Sequence, residues 1–532
     1  MSASREKKNR QELAAQGYVD PKTEREAKEA AERKKNKLLY GGIAIVFVIV
    51  AAVVLLYNSG VFQRNATALT VDGKDFTAAE VDYYYYGALN SVTSSQYASY
   101  MGLNTSTSMK DQTLNAMAKM LLGVTDEGDI TWDQFLKDTA KNNLTQTYLL
   151  SEKAKADGLA DDEHISEEVS STVETVKGYA KQNGLSYSAY LKRAFGSNMT
   201  AGTFEKLCKM DALASHYQSE YISGLSYTDE ALQACYDADK NAFDVADYEY
   251  VSFKATAAST TDADGNTVEP TDAEQAAAKQ AAEDAAADAA ARYAAGESLE
   301  DIAAAYEDIA TYAHPQEATY ADTDLVNWVF DAARVAGDTD TVVTDSSIYF
   351  ALFHSRSRQD YNVVNVRHIL FEVDDSDLDQ ESETYEADLA ELKDIARTDA
   401  EKALKEWQDG GATAELFAEM AAELSGDTGS AANGGLYEGI SKDTSFVQEF
   451  LDWCFADGRK VGDAGVIDST YGSHVMYLDS FGAPYWQVLA ENQLKNEDYA
   501  AWLSEQTSVE TVTEGSGTVS YTHLTLPTIC SV

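Results

Sequence analysis

Cysteine and positive charge are both scarce in this chain, and each shortage narrows what it can be. Of four cysteines in 532 residues, Cys208, Cys235 and Cys454 precede the final segment that holds Cys530. None shows Cys-x-x-Cys spacing or a nearby histidine partner, so neither a disulfide scaffold nor a zinc module is expected. Cys208 and Cys235 are left open between a bridge and free thiols. Lysine and arginine number 41 against 89 aspartates and glutamates, a net charge of −48. That balance argues against a nucleic-acid partner, because phosphate backbones are bound through positive charge. Long apolar runs are also rare, and the one from Leu38 to Tyr57 is uncharged and long enough to cross a bilayer's hydrocarbon core. A single transmembrane helix is therefore predicted over 38–57.

Residues 1–37 form a basic tail of eleven lysines and arginines and seven acidic residues, with Arg33, Lys34, Lys35 and Lys37 beside the apolar run. This bias keeps the amino terminus in the cytoplasm and places the rest of the chain outside the cell membrane as a single-pass protein. The long leading segment, and the lack of a small-x-small site in Asn58 to Arg64, favour an anchor over a cleaved signal peptide. The outer part then carries 30 basic and 82 acidic residues, a net of −52. Such a coat keeps a protein soluble and steers basic segments toward it, but names no partner.

The length permits three or four domains, and the apolar content is enough for real cores. Residues 66–240 read as a mainly helical domain that opens with a short strand and helix entry, Ala68 to Val81. Its turns fall at Asn183-Gly184 and Ser223-Gly224. The aromatic run Tyr83 to Tyr86, with Tyr97, Tyr100 and Met101, suits either core packing or a peptide-contact surface, core packing being favoured. Farther on the pattern becomes α+β.

Val366 to Phe371 and Gly472 to Met476 read as strands, each carrying one histidine on an apolar face. Val364, Val366, His368 and Leu370 share one side of the first, and His474, Met476 and Leu478 one side of the second. Between them lie a helix with Ala396, Ala400, Ala403, Leu404 and Trp407 closed by Gly410-Gly411, and another with Leu416, Phe417, Met420 and Leu424. Ser425-Gly426-Asp427, a Gly434-Gly435 turn and a third apolar stripe of Phe446, Phe450, Trp453 and Cys454 follow.

The segment from Val363 to Phe481 resembles a parvulin, the PpiC-like peptidyl-prolyl isomerase domain. The resemblance implies a domain over 362–482 whose paired histidines are His368 and His474, with Asp427 as the third polar group. By the same resemblance Phe446 and Phe450 floor a proline pocket, and Tyr437 and Met476 join them as substrate-binding residues. Rotation about an X-Pro amide faces a resonance barrier of about 18–20 kcal/mol and breaks no bond. An apolar floor with polar groups that favour the twisted amide suffices, so no cofactor and no metal are implied. The acidic stretch Glu372 to Asp377 stands where phosphate-directed parvulins are basic, so no phosphate requirement is expected.

Upstream, Trp328 to Asp338 repeats Trp453 to Asp463 with identical Trp, Arg and Gly-Asp spacing, an internal repeat. Tyr248 to Lys254 then matches the His368 strand, with Ser252 in the first histidine's place. The Ala-rich segment from Ala273 to Ala295, N-capped at Thr271, matches the long helix. Thr344 to Phe353 matches the last strand, with Ile348 or Tyr349 in the second histidine's place. A degenerate parvulin-like domain over 246–357 follows. Residues 66–240 resemble the chaperone domain of SurA- and PrsA-type foldases, in which a carboxyl-terminal helix returns to the chaperone domain. Residues 484–512 are the candidate. Residues 521–532 read as a non-native tail. The implied protein is a bacterial, membrane-anchored foldase acting on unfolded exported polypeptides with X-Pro bonds, with a homodimer through the helical domain left open. A catalytically inactive holdase and a surface adhesin are the alternatives.

Overall fold

The computed structural model describes residues 66–515 except 263, 264, 307, 377, 509 and 510, together with 7, 8, 11, 12, 25, 34, 35, 45–51 and 54. The tail expected over 521–532, most of the basic tail over 1–37 and most of the membrane span over 38–57 therefore lie outside the described residues. Within that span residues 45–51 are helical and exposed. Among the described residues no helix is long and apolar enough to cross a membrane.

The chain divides into two compact units, residues 1–224 with 499–532, and residues 225–498. In the first, strands β1 (Thr67–Val71) and β2 (Lys74–Thr77) form a hairpin extended by a short strand, Val512–Glu514. Helix α1 (Ala78–Ser94) starts where the Glu80 carboxylate accepts from the Thr77 N–H at 2.7 Å, which satisfies one orphan donor of the first turn. It packs with α2 (Trp132–Ala156), α3 (Glu163–Gln182), α4 (Tyr187–Phe195) and α5 (Ala201–Gly224) around Leu136, Leu144, Ile165, Leu191, Phe204 and Leu213. The aromatic run is core: Tyr84, Tyr85 and Tyr86 are buried, and the Tyr83 and Tyr84 hydroxyls both donate to Asp211 at 2.7 Å. Met101 is buried as well, whereas Tyr97 and Tyr100 are exposed.

The second unit begins with α6 (Asp229–Ala238) and contains two sheets of the same plan. The first has strands β3 (Asp244–Lys254), β4 (Ala310–Ala313), β5 (Thr339–Val343) and β6 (Ser347–Arg358) in the order β4-β3-β6-β5, with Ala318–Thr319 also on β3. Helices α7 (Asp272–Ala294) and α8 (Leu299–Ala304) connect β3 to β4, and α9 (Asp324–Val329) connects β4 to β5. The Ala-rich stretch is thus an ordered helix. Thr271 and Glu274 cap it reciprocally, and Ala282, Ala285, Ala286 and Ala289 form its buried stripe.

The second sheet repeats this with β7 (Asn362–Glu372), α10 (Tyr385–Asp409), α11 (Ala414–Leu424), β8 (Leu436–Ile440), α12 (Gln448–Cys454), β9 (Ala464–Ser469) and β10 (Gly472–Pro484), in the order β8-β7-β10-β9. The closing helix α13 (Tyr485–Ser508) belongs to both units. Trp486 and Ala490 share a core with Leu232 and Phe243, while Trp502 stacks on Tyr221 at 4.3 Å. The division between units falls at 224 and within α13, where α6 and the first half of α13 bury their apolar faces together.

The repeat holds in atomic detail. Arg334 lies over the Trp328 ring at 5.0 Å, as Arg459 lies over Trp453 at 4.0 Å. Gly337 N–H donates to Phe353 O at 2.8 Å, and Gly462 N–H to Leu478 O at 2.9 Å. These equivalences correct one expectation. Phe353 pairs with Tyr248 and Leu478 with Val366, so the residue opposite Ala351, Tyr250, occupies the place of His368 opposite Met476. Ser252 stands two residues farther, where the second sheet has Leu370, and Tyr349, not Ile348, stands at the place of His474. A two-residue slip keeps side chains on the same face, which is why alternation alone could not detect it. The first sheet thus has two tyrosines, ring centroids 5.5 Å apart, where the second has two histidines.

Candidate active site

The antiparallel pairing of β7 with β10 sets His368 opposite Met476 and Leu370 opposite His474, which puts both imidazoles on one face. On the other face Ile369, Val475 and Tyr477 are sealed under α10 and α11 by Ala400, Trp407, Phe417 and Ala421. Each of the larger apolar side chains fully buried here contributes roughly 1.5–3 kcal/mol to holding the strands flat against the helices.

Gly435 brings β8 against β7: its carbonyl accepts from His368 N–H at 2.9 Å, and its φ of 72° is left-handed. A Cβ there would meet His368 O at 2.3 Å. Gly435→Ala is therefore expected to destabilise the second sheet by about 3 kcal/mol, combining left-handed strain with displaced backbone. The denaturant midpoint of the purified variant measures this, and an unchanged midpoint would contradict the close approach.

His368 and His474 are each only 4% exposed, and their Nδ1 atoms lie 3.2 Å apart. His368 Nε2 is 2.8 Å from Asp427 Oδ2, and Ser469 Oγ is 2.7 Å from His474 Nε2. Asp427 also accepts from Tyr437 OH at 3.0 Å, from Gly429 N–H at 3.1 Å and from the Ser430 hydroxyl. Burial pushes the Asp427 pKa upward, but the bonds from Ser430, His368, Gly429 and Tyr437 outweigh it and hold it at about 2. The carboxylate is ionised at neutral pH.

Burial lowers the pKa of His368, although Asp427 pulls it upward. Burial, then the neighbouring His368, pushes that of His474 down to about 4. Both rings are neutral at pH 7, so the contact of His368 with Asp427 is a hydrogen bond to a carboxylate and not an ion pair. The tautomers follow. His368 donates from Nε2 to Asp427, its bare Nδ1 accepts from His474 Nδ1–H, and His474 Nε2 accepts from the Ser469 hydroxyl. Ser469 Oγ in turn accepts from Tyr471 N–H at 3.1 Å.

Aromatic rings flank this chain of bonds. Phe450 meets His368 edge-to-face at 5.5 Å and Phe446 at 4.8 Å, and Tyr437 lies 5.0 Å from Phe446. Phe446 and Tyr437 are half-buried and keep accessible surface, whereas Phe450 is buried. Met476 has no exposed surface and lies in the core with Val364, Val366 and Leu478. In this conformation it supports the floor from beneath. Sequence reasoning missed Ser430 and Ser469. Ser430 follows Asp427 by three residues, and Ser469 closes the turn into β10, positions where a short hydroxyl can reach back.

Residues 350–480 match the sequence model of the family described as the PPIC-type PPIASE domain. This segment is a parvulin-type peptidyl-prolyl isomerase domain. The match opens within β6, the strand preceding the parvulin sheet. No curated protein matches the chain. Among solved structures it is similar to PrsA from Bacillus subtilis, with 13% identity over 72% of this chain and 88% of that one and a TM-score of 0.28. PrsA from Streptococcus pneumoniae gives 15% identity over 72% and 91%, with a TM-score of 0.19. SurA-like chaperones of Campylobacter jejuni give 14% over 83% and 96%, with a TM-score of 0.13. The parvulin assignment rests on the family match, with which the paired-histidine geometry agrees.

Proposed function

We propose that the chain is an extracytoplasmic foldase that isomerises X-Pro bonds in unfolded exported polypeptides and holds those chains against aggregation. The observation that carries this is the bonded run Tyr437, Asp427, His368, His474 and Ser469 beside the rings of Phe446 and Phe450, within a PPIC-type domain. Phe446 and Tyr437 grip the proline ring, with Phe450 packed behind Phe446. His368, Asp427 and His474 act electrostatically and by orientation, favouring the twisted amide over either planar form. No proton has to move, which suits two neutral imidazoles whose donors are already committed. The helical unit supplies the holding surface, and residues 38–57 anchor the chain to the membrane with the bulk outside.

A second reading, a holdase without turnover, is favoured by the first sheet alone, where Tyr250 and Tyr349 replace the histidine pair. A protease-coupled prolyl-peptide assay beside an aggregation assay separates the two on the full-length chain. Turnover lost in the His368→Ala/His474→Ala double variant, with aggregation suppression kept, supports the foldase. Equal turnover in wild type and double variant would overturn it. Recovery of the full-length chain in the membrane fraction, and loss of that recovery on deleting residues 38–57, tests the anchor.

A further inference from the structure

We propose that the first sheet of the second unit carries a binding site for a divalent transition-metal ion of the zinc class, built from Asp247, His314 and His354 with Glu249 beside them. Each of the first three offers one ligand atom, and these atoms all lie within 4.8 Å of one another. His314 Nε2 is 2.7 Å from Asp247 Oδ1, and His354 Nε2 is 2.8 Å from Glu249 Oε1, which itself lies 4.0 Å from His314 Nδ1. Two imidazoles with one or two carboxylates is the donor set that zinc takes when sulfur is absent. Glu249 either completes the set or orients His354, and Tyr312 OH holds its second oxygen at 3.1 Å.

Three observations set this cluster apart from an ordinary acidic surface. The chain has seven histidines among 89 acidic residues, yet two of them meet here with ring centroids 5.3 Å apart. His354 is the extra residue of a bulge: Asp247 pairs with Ser355 and Tyr248 with Phe353, so nothing opposes it and its side chain is re-aimed toward β3. The parvulin sheet has the same bulge, with Asn365 opposite Ser480 and Val366 opposite Leu478, and its extra residue is Asp479. There Arg367 bonds Asp479 at 2.9 Å, so that copy is already neutral. In the first copy Glu249 replaces that arginine, His354 replaces Asp479 and Asp247 replaces Asn365. Among the described residues no lysine or arginine pairs with either carboxylate. A dication neutralises the two carboxylates in place of the direct imidazole–carboxylate bonds, and the exposed His314 leaves ions a way in.

The ligands are 67 and 40 residues apart in sequence, so no spacing motif announces them, and the expectation that the chain needs no metal came from the isomerase chemistry and from cysteines without metal-ligand spacing. Calorimetric titration of the full-length protein with Zn²⁺ tests the site, with Mg²⁺ as the oxygen-preferring control. One Zn²⁺ per chain is expected, with no competition from Mg²⁺. Affinity should fall about a hundred-fold or more in His314→Ala and in His354→Ala, and stay unchanged in His368→Ala. Co²⁺ should give visible d–d bands that the same two variants abolish. If either variant misfolds by circular dichroism, Asp247→Asn, which keeps the volume, carries the test with the same expected loss. Zinc binding that survives all three changes, or no binding to the folded wild-type chain, overturns the proposal.

Discussion

Isomerase turnover is expected to fall about a hundred-fold when Asp427 is replaced by Asn, with the domain still folded. Removing one preorganised electrostatic group from a site of this kind costs about 10²–10³ in rate. Asparagine keeps the shape of aspartate but loses the charge that collects donors from His368, Ser430, Tyr437 and Gly429. Its single carbonyl oxygen cannot serve all four, and its amide group meets donors where an acceptor is required. The His368 ring is then free to take its other tautomer, which reverses the bond to His474 and turns the Ser469 hydroxyl from donor to acceptor. Tyr437→Phe, by contrast, removes one donor and leaves the charge, so a loss of no more than about ten-fold is expected from it. The value of kcat/KM in a protease-coupled assay with a prolyl peptide measures both. An Asp427→Asn variant within about three-fold of wild type would show that the carboxylate has no electrostatic role in rotation.

Much of this site was legible because a strand has a period of two. Alternation alone put His368 with Val364 and Val366, and His474 with Met476 and Leu478, on common faces, and the structure shows those faces paired. The same period hides what it cannot resolve. A slip of two residues leaves the face unchanged, so Ser252 stood in for Tyr250 until the turn at Gly337 and Gly462 fixed the register. Depth is likewise invisible to periodicity: Met476 and Phe446 belong to one apolar set, yet one is wholly buried and the other keeps a free edge. Ser430 and Ser469 act through loop geometry, which no helical or strand period encodes. The unit boundary inside α13 could not be read either, since a continuous amphipathic helix carries no mark of where its packing partner changes.

Acid should unfold the parvulin domain over a window set by its buried imidazoles. His474 titrates at about 4 in the folded protein and at about 6.5 when unfolded. Between those values the unfolded state binds the extra proton, so stability rises with pH and is lost as pH falls from about 6.5 to about 4. The span corresponds to about 3 kcal/mol for His474 alone, and His368, lowered in the same direction, adds to it. Asp427 acts lower still: held at about 2, it contributes stability above about 4 that disappears toward pH 2. In the helical unit Asp211 has the opposite sign. Burial raises its pKa despite the bonds from Tyr83 and Tyr84, so its folded carboxyl holds a proton that the unfolded one has given up, and acidification relieves it. Urea melts of wild type and His474→Gln at pH 7, 5.5 and 4.5 isolate the histidine contribution, because the remaining carboxylates cancel in the difference. Wild type should lose more stability than the variant at each step down, by about 2 kcal/mol in total over this range. Equal losses in the two proteins would mean that His474 is protonated in the folded domain, and the tautomer chain from Asp427 to Ser469 would then be wrong.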